Sequence, residues 1–195
     1  MRTLLLMLFL PIYGFGQASQ NDPPSRQVIQ DSIPGTSIIL KDGNILFKKA
    51  YASNLEKEAL SDQLYTLLSL IKGFKPNDER YRAVDQITGR LSRHNINMNK
   101  YATSDILNKP INAMVLVQLK DLKYQVIVSE ISFGETYTDS LKHELTRDVM
   151  LESYITEKKG SKLRSRKVYV KLAQILNQEL TDLFDLQKSN LAAEF

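Results

Sequence analysis

MVLVQLKDLKYQVIVSEISF, residues 114–133, is the stretch on which the fold turns. It holds two apolar runs with a charged hinge, Lys120-Asp121-Leu122-Lys123, between them. Side chains alternate along an extended strand, so Val115, Val117 and Leu119 share one face of the first run. Tyr124, Val126 and Val128 share one face of the second. Met114, Leu116 and Ile127 point the other way, and helices packed on the reverse face are expected to cover part of it.

Upstream, Ser37–Leu40 and Ile45–Tyr51 flank Asp42-Gly43, a hairpin signal because the tight turn needs positive φ. Leu60, Leu64, Leu67, Leu68 and Ile71 then form one helical stripe. Two starts fit it: Ser53 with Glu56 at capping-box spacing, or Ser61 followed by Asp62. Gly73 and Pro76 end it. Residues 81–87 and 91–98 read as two strands joined at Thr88-Gly89, and 99–113 as a polar connection containing Pro110. Downstream, Thr138 or Asp139 is placed to cap a helix through about Ile155, carrying Leu141, Leu145 and Val149. Val168, Leu172, Ile175, Leu176, Leu180 and Leu183 give the longest stripe of all. The expected fold is α+β: a curved antiparallel sheet of about six strands in three hairpins, one helix after the first hairpin and two C-terminal helices. One domain over residues 37–190 accommodates it.

The N-terminus reads as a secretory signal. Met1-Arg2-Thr3 is positive, Leu4–Leu10 is apolar, Pro11 breaks the run, and small residues stand at Gly16 and Ala18, either of which fits cleavage. Spanning a membrane takes about 20 apolar residues, more than this run supplies. Residues 1–18 are therefore expected to be removed, and the polar, proline-rich stretch 19–36 to form a flexible leader, docked at most through Val28-Ile29. The chain has no cysteine, which excludes an N-terminal lipoprotein anchor, disulfides and thiolate metal sites. The expected location is periplasmic or extracellular, with no transmembrane segment after cleavage. A net charge of +4 is too mild to mark a polyanion binder by itself.

DGNILFKKAY, SDQLYTLLSLI, YRAVDQITGRL and VLVQLKDLKYQVIVSEI, followed by a long amphipathic helix, resemble an exported bacterial domain-of-unknown-function family described as having a TATA-binding-protein-like fold. The resemblance spans roughly residues 37–186 and is carried most specifically by Leu64-Tyr65, by Asp85 with Gly89, and by Asp121 with Lys123-Tyr124. It implies a curved antiparallel sheet backed by helices. It brings no catalytic residues, and a fold name does not imply nucleic-acid binding. The family commonly has glycine after the Asp of the third turn, where this chain has Leu122. A branched side chain resists positive φ, so a longer loop or a bulge is expected there rather than a type I′ turn.

Reactive motifs are scarce. His94 and His143 are the only histidines, and the KHELTRD stretch puts Arg147 where a zinc-binding helix needs its second histidine. No Gly-x-Ser-x-Gly or phosphate-cradling glycine pattern occurs. Asp85 is a candidate for paired-carboxylate chemistry, but beside Thr88-Gly89 it fits better as a residue that sets a turn. The scattered tyrosines read as straddling core and solvent. The one charged cluster is KKGSKLRSRK: Lys158, Lys159, Lys162, Arg164, Arg166 and Lys167 are candidates for contact with an anionic surface, though a solvated interhelix link explains them more simply. The sequence therefore reads as a non-catalytic binding module of the cell envelope, with a protein or envelope component as partner and no cofactor, metal or nucleic acid. An apolar-ligand carrier and a carboxylate-dependent hydrolase are the alternatives.

Overall fold

The computed structural model describes residues 30–77, 85–96, 105–157 and 160–188. In chain order the elements are β1 (Gln30–Ser32), β2 (Ile38–Lys41), β3 (Asn44–Ala52), α1 (Lys57–Leu70), β4 (Phe74–Pro76), β5 (Gln86–His94), β6 (Ile111–Lys120) and β7 (Lys123–Thr138). They continue with β8 (Glu144–Met150), α2 (Leu151–Ile155), β9 (Thr156–Glu157), β10 (Lys162–Leu163) and α3 (Lys167–Leu183). The expected α+β class holds. An eight-stranded sheet runs β1-β2-β3-β7-β6-β5-β4, with β8 added on the far part of β7, and β9 and β10 form a separate pair. The pairings are antiparallel.

Two expected hairpins are present. Lys41 pairs with Asn44 across Asp42-Gly43, whose φ angles of 51° and 82° are those of a primed turn. Lys120 pairs with Lys123, so the third hairpin closes in two residues and not through the longer loop expected. Of those two only Leu122 takes positive φ, at 60°, so the turn is not type I′. Its strain is held in place from outside. The Leu122 N–H donates to Leu55 O at 3.1 Å, and Leu122 O accepts from the Ser53 N–H at 2.8 Å. Asp121 beside it caps α1: its Oδ1 accepts from the Lys57 N–H at 3.2 Å. Neither expected start is used; Glu56 is the N-cap and makes no side-chain cap bond.

The middle hairpin is a misreading. Thr88 and Gly89 lie inside a continuous β5, paired with Leu116 and Val115. Glycine is required there by crowding: a Cβ on Gly89 would stand 2.3 Å from the Phe74 ring and 2.8 Å from Lys75 O. On its other side from β6, β5 pairs with the short β4, unforeseen because Pro76 reads as a stop; at a sheet edge, proline costs no ladder bond. Residues 78–84 and 97–104 of the expected strands and connection lie outside the described residues. The expected helix through Ile155 is also wrong. Residues 123–138 and 144–150 form a long ribbon, and only Leu151–Ile155 is helical. Gln30–Ser32, inside the stretch expected as leader, is strand β1, and Ile33 after it is buried. Val28 and Ile29 lie outside the described residues.

α1 and α3 pack on one face of the sheet. Leu60, Leu64 and Leu68 of α1 and Leu172, Leu176 and Leu180 of α3 join Ile45, Phe47, Val115, Val117, Val126 and Val128 in one buried core. Tyr51 and Tyr124 stack at 4.8 Å with planes 7° apart and seat the end of α3. Tyr51 Oη donates to Thr181 O at 3.1 Å; Tyr124 Oη donates to Phe184 O at 2.8 Å and accepts from the Leu186 N–H at 3.1 Å. Burial pushes the Tyr124 hydroxyl up to about 12. Helices were expected to cover part of the reverse face. Instead Met114, Leu116 and Ile127 stay half-buried outside the core, because both long helices spend their stripes on the other side.

Candidate functional site

The basic link separates into parts. Arg164 is committed internally: Nε donates to Thr156 O at 2.6 Å, Nη1 to Tyr169 Oη at 2.9 Å, and the guanidinium lies 4.8 Å from the Tyr169 ring. It ties the end of α2 to the start of α3. Lys162 sits on β10 opposite Glu157. Arg166 is the N-cap of α3 and Lys167 its first residue, and all three of these cations are exposed. Lys158 and Lys159 lie outside the described residues. Of the four described members, Arg164 is turned inward and Lys162, Arg166 and Lys167 stay on the surface.

The other sequence candidates also separate. Asp85 is ion-paired with Lys57 at the start of α1, and its carbonyl accepts from the Leu119 N–H at 2.8 Å, so it ties strand to helix and sets no turn at Thr88-Gly89. His94 is turned by a bulge. Leu91 pairs with Ala113 and His94 with Ile111, one residue too many on β5, with Arg93 at φ 50°. The ring is thereby aimed at the core side, where Nδ1 lies 3.2 Å from Lys72 O and Nε2 lies 4.0 Å from the Glu179 carboxylate on α3. With 11 % of its side chain exposed, this imidazole faces no open cleft. His143 is in the β7–β8 turn, its Nδ1 3.2 Å from Asp139 Oδ2. Asp139 does cap backbone amides, as expected, but those of Leu141 and His143 in that turn. The His143 N–H bond is the largest influence holding its carboxyl below the usual range. Among the described residues no three His, Cys, Asp or Glu side chains stand close enough to share a metal.

The surface with the clearest capacity to bind is the open side of the sheet. Register places Lys48, Ile127, Leu116 and Thr88 in one row across β3, β7, β6 and β5, and Ala50, Gln125, Gln118 and Gln86 in the next. Alternation puts these side chains opposite the core. Lys120 and Lys123 end the face at the hairpin, and Arg90 and Lys75 close its β5–β4 side. Where Ala50 keeps the surface low, a depression of about 290 Å³ lies among Gln118, Gln125, Lys120 and Lys123. At the opposite end a groove of about 420 Å³ runs between β3 and the ribbon, lined by Lys41, Asp42, Leu46, Glu130, Met150 and Glu152. Glu152 is anchored there, Oε1 accepting from the Ile45 N–H at 2.7 Å. Sequence reasoning passed over this face by taking Met114, Leu116 and Ile127 as helix-covered. The signal was present: strands β2 to β6 and residues 123–129 contain lysines and arginines but no Asp or Glu.

No family model and no curated protein matches the sequence. Among solved structures, the chain is similar to a DUF4468 family protein from Bacteroides ovatus, at 15 % identity and TM-score 0.46, over 73 % of this chain and 84 % of that one. It is similar as well to a TBP-like protein from Parabacteroides distasonis, at 14 % identity and TM-score 0.49, over 75 % and 94 %. These neighbours are of the kind the sequence resemblance names: a domain of unknown function and a TATA-binding-protein-like protein. No helix among the described residues is long and apolar enough to cross a membrane.

Proposed function

We propose that this chain is an exported, non-catalytic binding module of the bacterial cell envelope, and that it makes contact through the open face of its sheet. Export is supported by the charged start, apolar run and small-residue exit of residues 1–18. One observation carries the binding reading: a half-buried apolar pair, Leu116 and Ile127, lies on the open face of the sheet, flanked by polar and cationic side chains. A partner that completes the burial of that pair gains apolar contact, while the surrounding lysines and glutamines set its orientation. The basic link is a solvated connection in this reading. Any anion contact it makes falls to Lys158, Lys159, Lys162, Arg166 and Lys167, since Arg164 is held internally.

The test is a photo-crosslinking amino acid at Gln118, on the open face, compared with one at Gln63 on the exposed side of α1. A discrete protein adduct from Gln118 in the native envelope, absent from Gln63, is expected. No adduct at Gln118 overturns the reading.

Carboxylate chemistry has one observation in its favour, the presence of Asp42, Glu130 and Glu152 along one groove. A hydrolytic activity lost in Glu130→Gln would bring that second reading forward.

A further inference from the structure

We propose that the open face takes an acidic, amphipathic protein segment, with a carboxylate of the segment seated in the depression between Lys120 and Lys123. The inference rests on the binding reading above and adds the chemistry of the partner.

Charge is the first argument. Lys48, Lys75, Arg90, Lys120 and Lys123 surround the apolar row, and no carboxylate in β2 to β6 or residues 123–129 offsets them. Nearby acids are turned elsewhere. Asp121 lies between the two hairpin lysines in sequence, but its carboxylate caps α1 through the Lys57 N–H. Asp85 is ion-paired with the Lys57 side chain. Among the described residues no ion pair reaches Lys48, Arg90, Lys120 or Lys123. Lys120 and Lys123 are moreover direct cross-strand partners, and like charges placed opposite one another on a hairpin repel. A carboxylate placed between them removes that repulsion. The depression there is bounded by Gln118 and Gln125, whose amides supply further donors.

The apolar row is the second argument, and it selects among anionic partners. A polysaccharide or a nucleic-acid backbone would leave Leu116, Ile127 and Met114 unburied. Among the described residues base stacking would find no platform on this face, because Phe47, Tyr51, Tyr124 and Phe133 all turn to the core. A lipid surface calls for apolar side chains that project, whereas these are half-buried between their neighbours. An amphipathic protein segment meets both demands, its apolar side chains on the Leu116–Ile127 row and its acids on the cationic rim. At the far groove Asp42, Glu130 and Glu152 outnumber Lys41, which disfavours acids at that end and so sets the direction in which the segment lies.

The experiment measures fluorescence anisotropy of a labelled octapeptide of alternating glutamate and leucine titrated with the full chain. Controls are its lysine–leucine counterpart, anionic phosphatidylglycerol vesicles and a heparin fragment. Wild type is expected to bind the glutamate peptide at least tenfold more tightly than the lysine one. Lys120→Glu/Lys123→Glu should reverse the preference, and Lys120→Gln/Lys123→Gln should remove it, with circular dichroism unchanged in both. Equal affinity of wild type and the reversed variant for the glutamate peptide overturns the acidic-partner inference. So does lysine-dependent binding of vesicles or heparin with no binding of the peptide. Either result leaves the Gln118 adduct, and with it the binding reading, to stand or fall separately.

Discussion

A leucine at φ 60° with 54 % of its surface exposed is an unusual choice for the tip of a two-residue hairpin. The left-handed region costs an L-residue about 1–2 kcal/mol, and Leu122 recovers little by burial. The structure keeps it there because residues 53 to 55 bind both of its backbone groups, which places the tip against the entry to α1. Glycine would adopt the same angles without strain and make the same two bonds. Its greater freedom in the unfolded chain gives back part of the gain, about 0.5–1 kcal/mol. Leu122→Gly is therefore expected to stabilise the protein by about 0.5–1 kcal/mol, read as a raised urea midpoint at unchanged slope. A lowered midpoint would mean that the leucine side chain makes a contact worth more than its strain. The sequence carried half of this: it flagged Leu122 as unfit for a primed turn. It could not show that a distant segment would hold the unfit residue, because those bonds join positions 53–55 to 122.

Among the elements, the ribbon of β7 and β8 is where pattern reading failed, and the reason is geometric. Leu141, Leu145 and Val149 recur every four residues, which satisfies a helix at i, i+4 and also one face of a strand at i, i+2, i+4. Periodicity alone does not separate the two. What decides is a contact remote in sequence. Glu135 on β7 accepts from Lys109 Nζ at 2.7 Å, Tyr154 Oη at 2.6 Å and Arg147 Nη2 at 3.0 Å, so one carboxylate ties the ribbon to α2 and to the turn before β6. Lys109 first, then Tyr154 and Arg147, hold the Glu135 carboxyl down at about 2. Its unfolded value is about 4.3. A carboxyl with a depressed folded value stabilises fully above its unfolded value and loses that contribution as pH falls toward the folded one. The ribbon should therefore loosen between about pH 4.5 and 2, seen as faster amide exchange in residues 132–138 and 144–150. In Glu135→Gln that pH dependence should be largely absent, with exchange already faster at pH 7 because Lys109 and Arg147 lose their shared partner. An unaltered pH profile in the variant would remove Glu135 from this role.

At the scale of the whole molecule, one core joins α1, α2, α3 and one face of the sheet; the shares of α1, α3 and the strands were legible from stripes and alternation, whereas that of α2, through Leu151 and Ile155, was not. The site was less legible. Core-facing and open-facing residues alternate on the same strands, and only the placement of both long helices on one side shows which half of each strand is left for a partner. That one-sidedness also makes α3 indispensable. Phe184, at its C-cap, is 1 % exposed, and the stacked Tyr51 and Tyr124 beside it bond to Thr181, Phe184 and Leu186 backbone. Phe184→Ala keeps those backbone bonds available and removes only the ring, at an expected cost of about 3–5 kcal/mol. The chain has no tryptophan and nine tyrosines, so tyrosine fluorescence reads tertiary packing with the stacked pair among its contributors. If the core is one cooperative unit, tyrosine fluorescence and far-ultraviolet circular dichroism should report the same urea midpoint in wild type and the same lowered midpoint in the variant. A fluorescence transition that precedes the dichroism transition would make α3 a separately docking element. The sheet would then expose its second face before it unfolds.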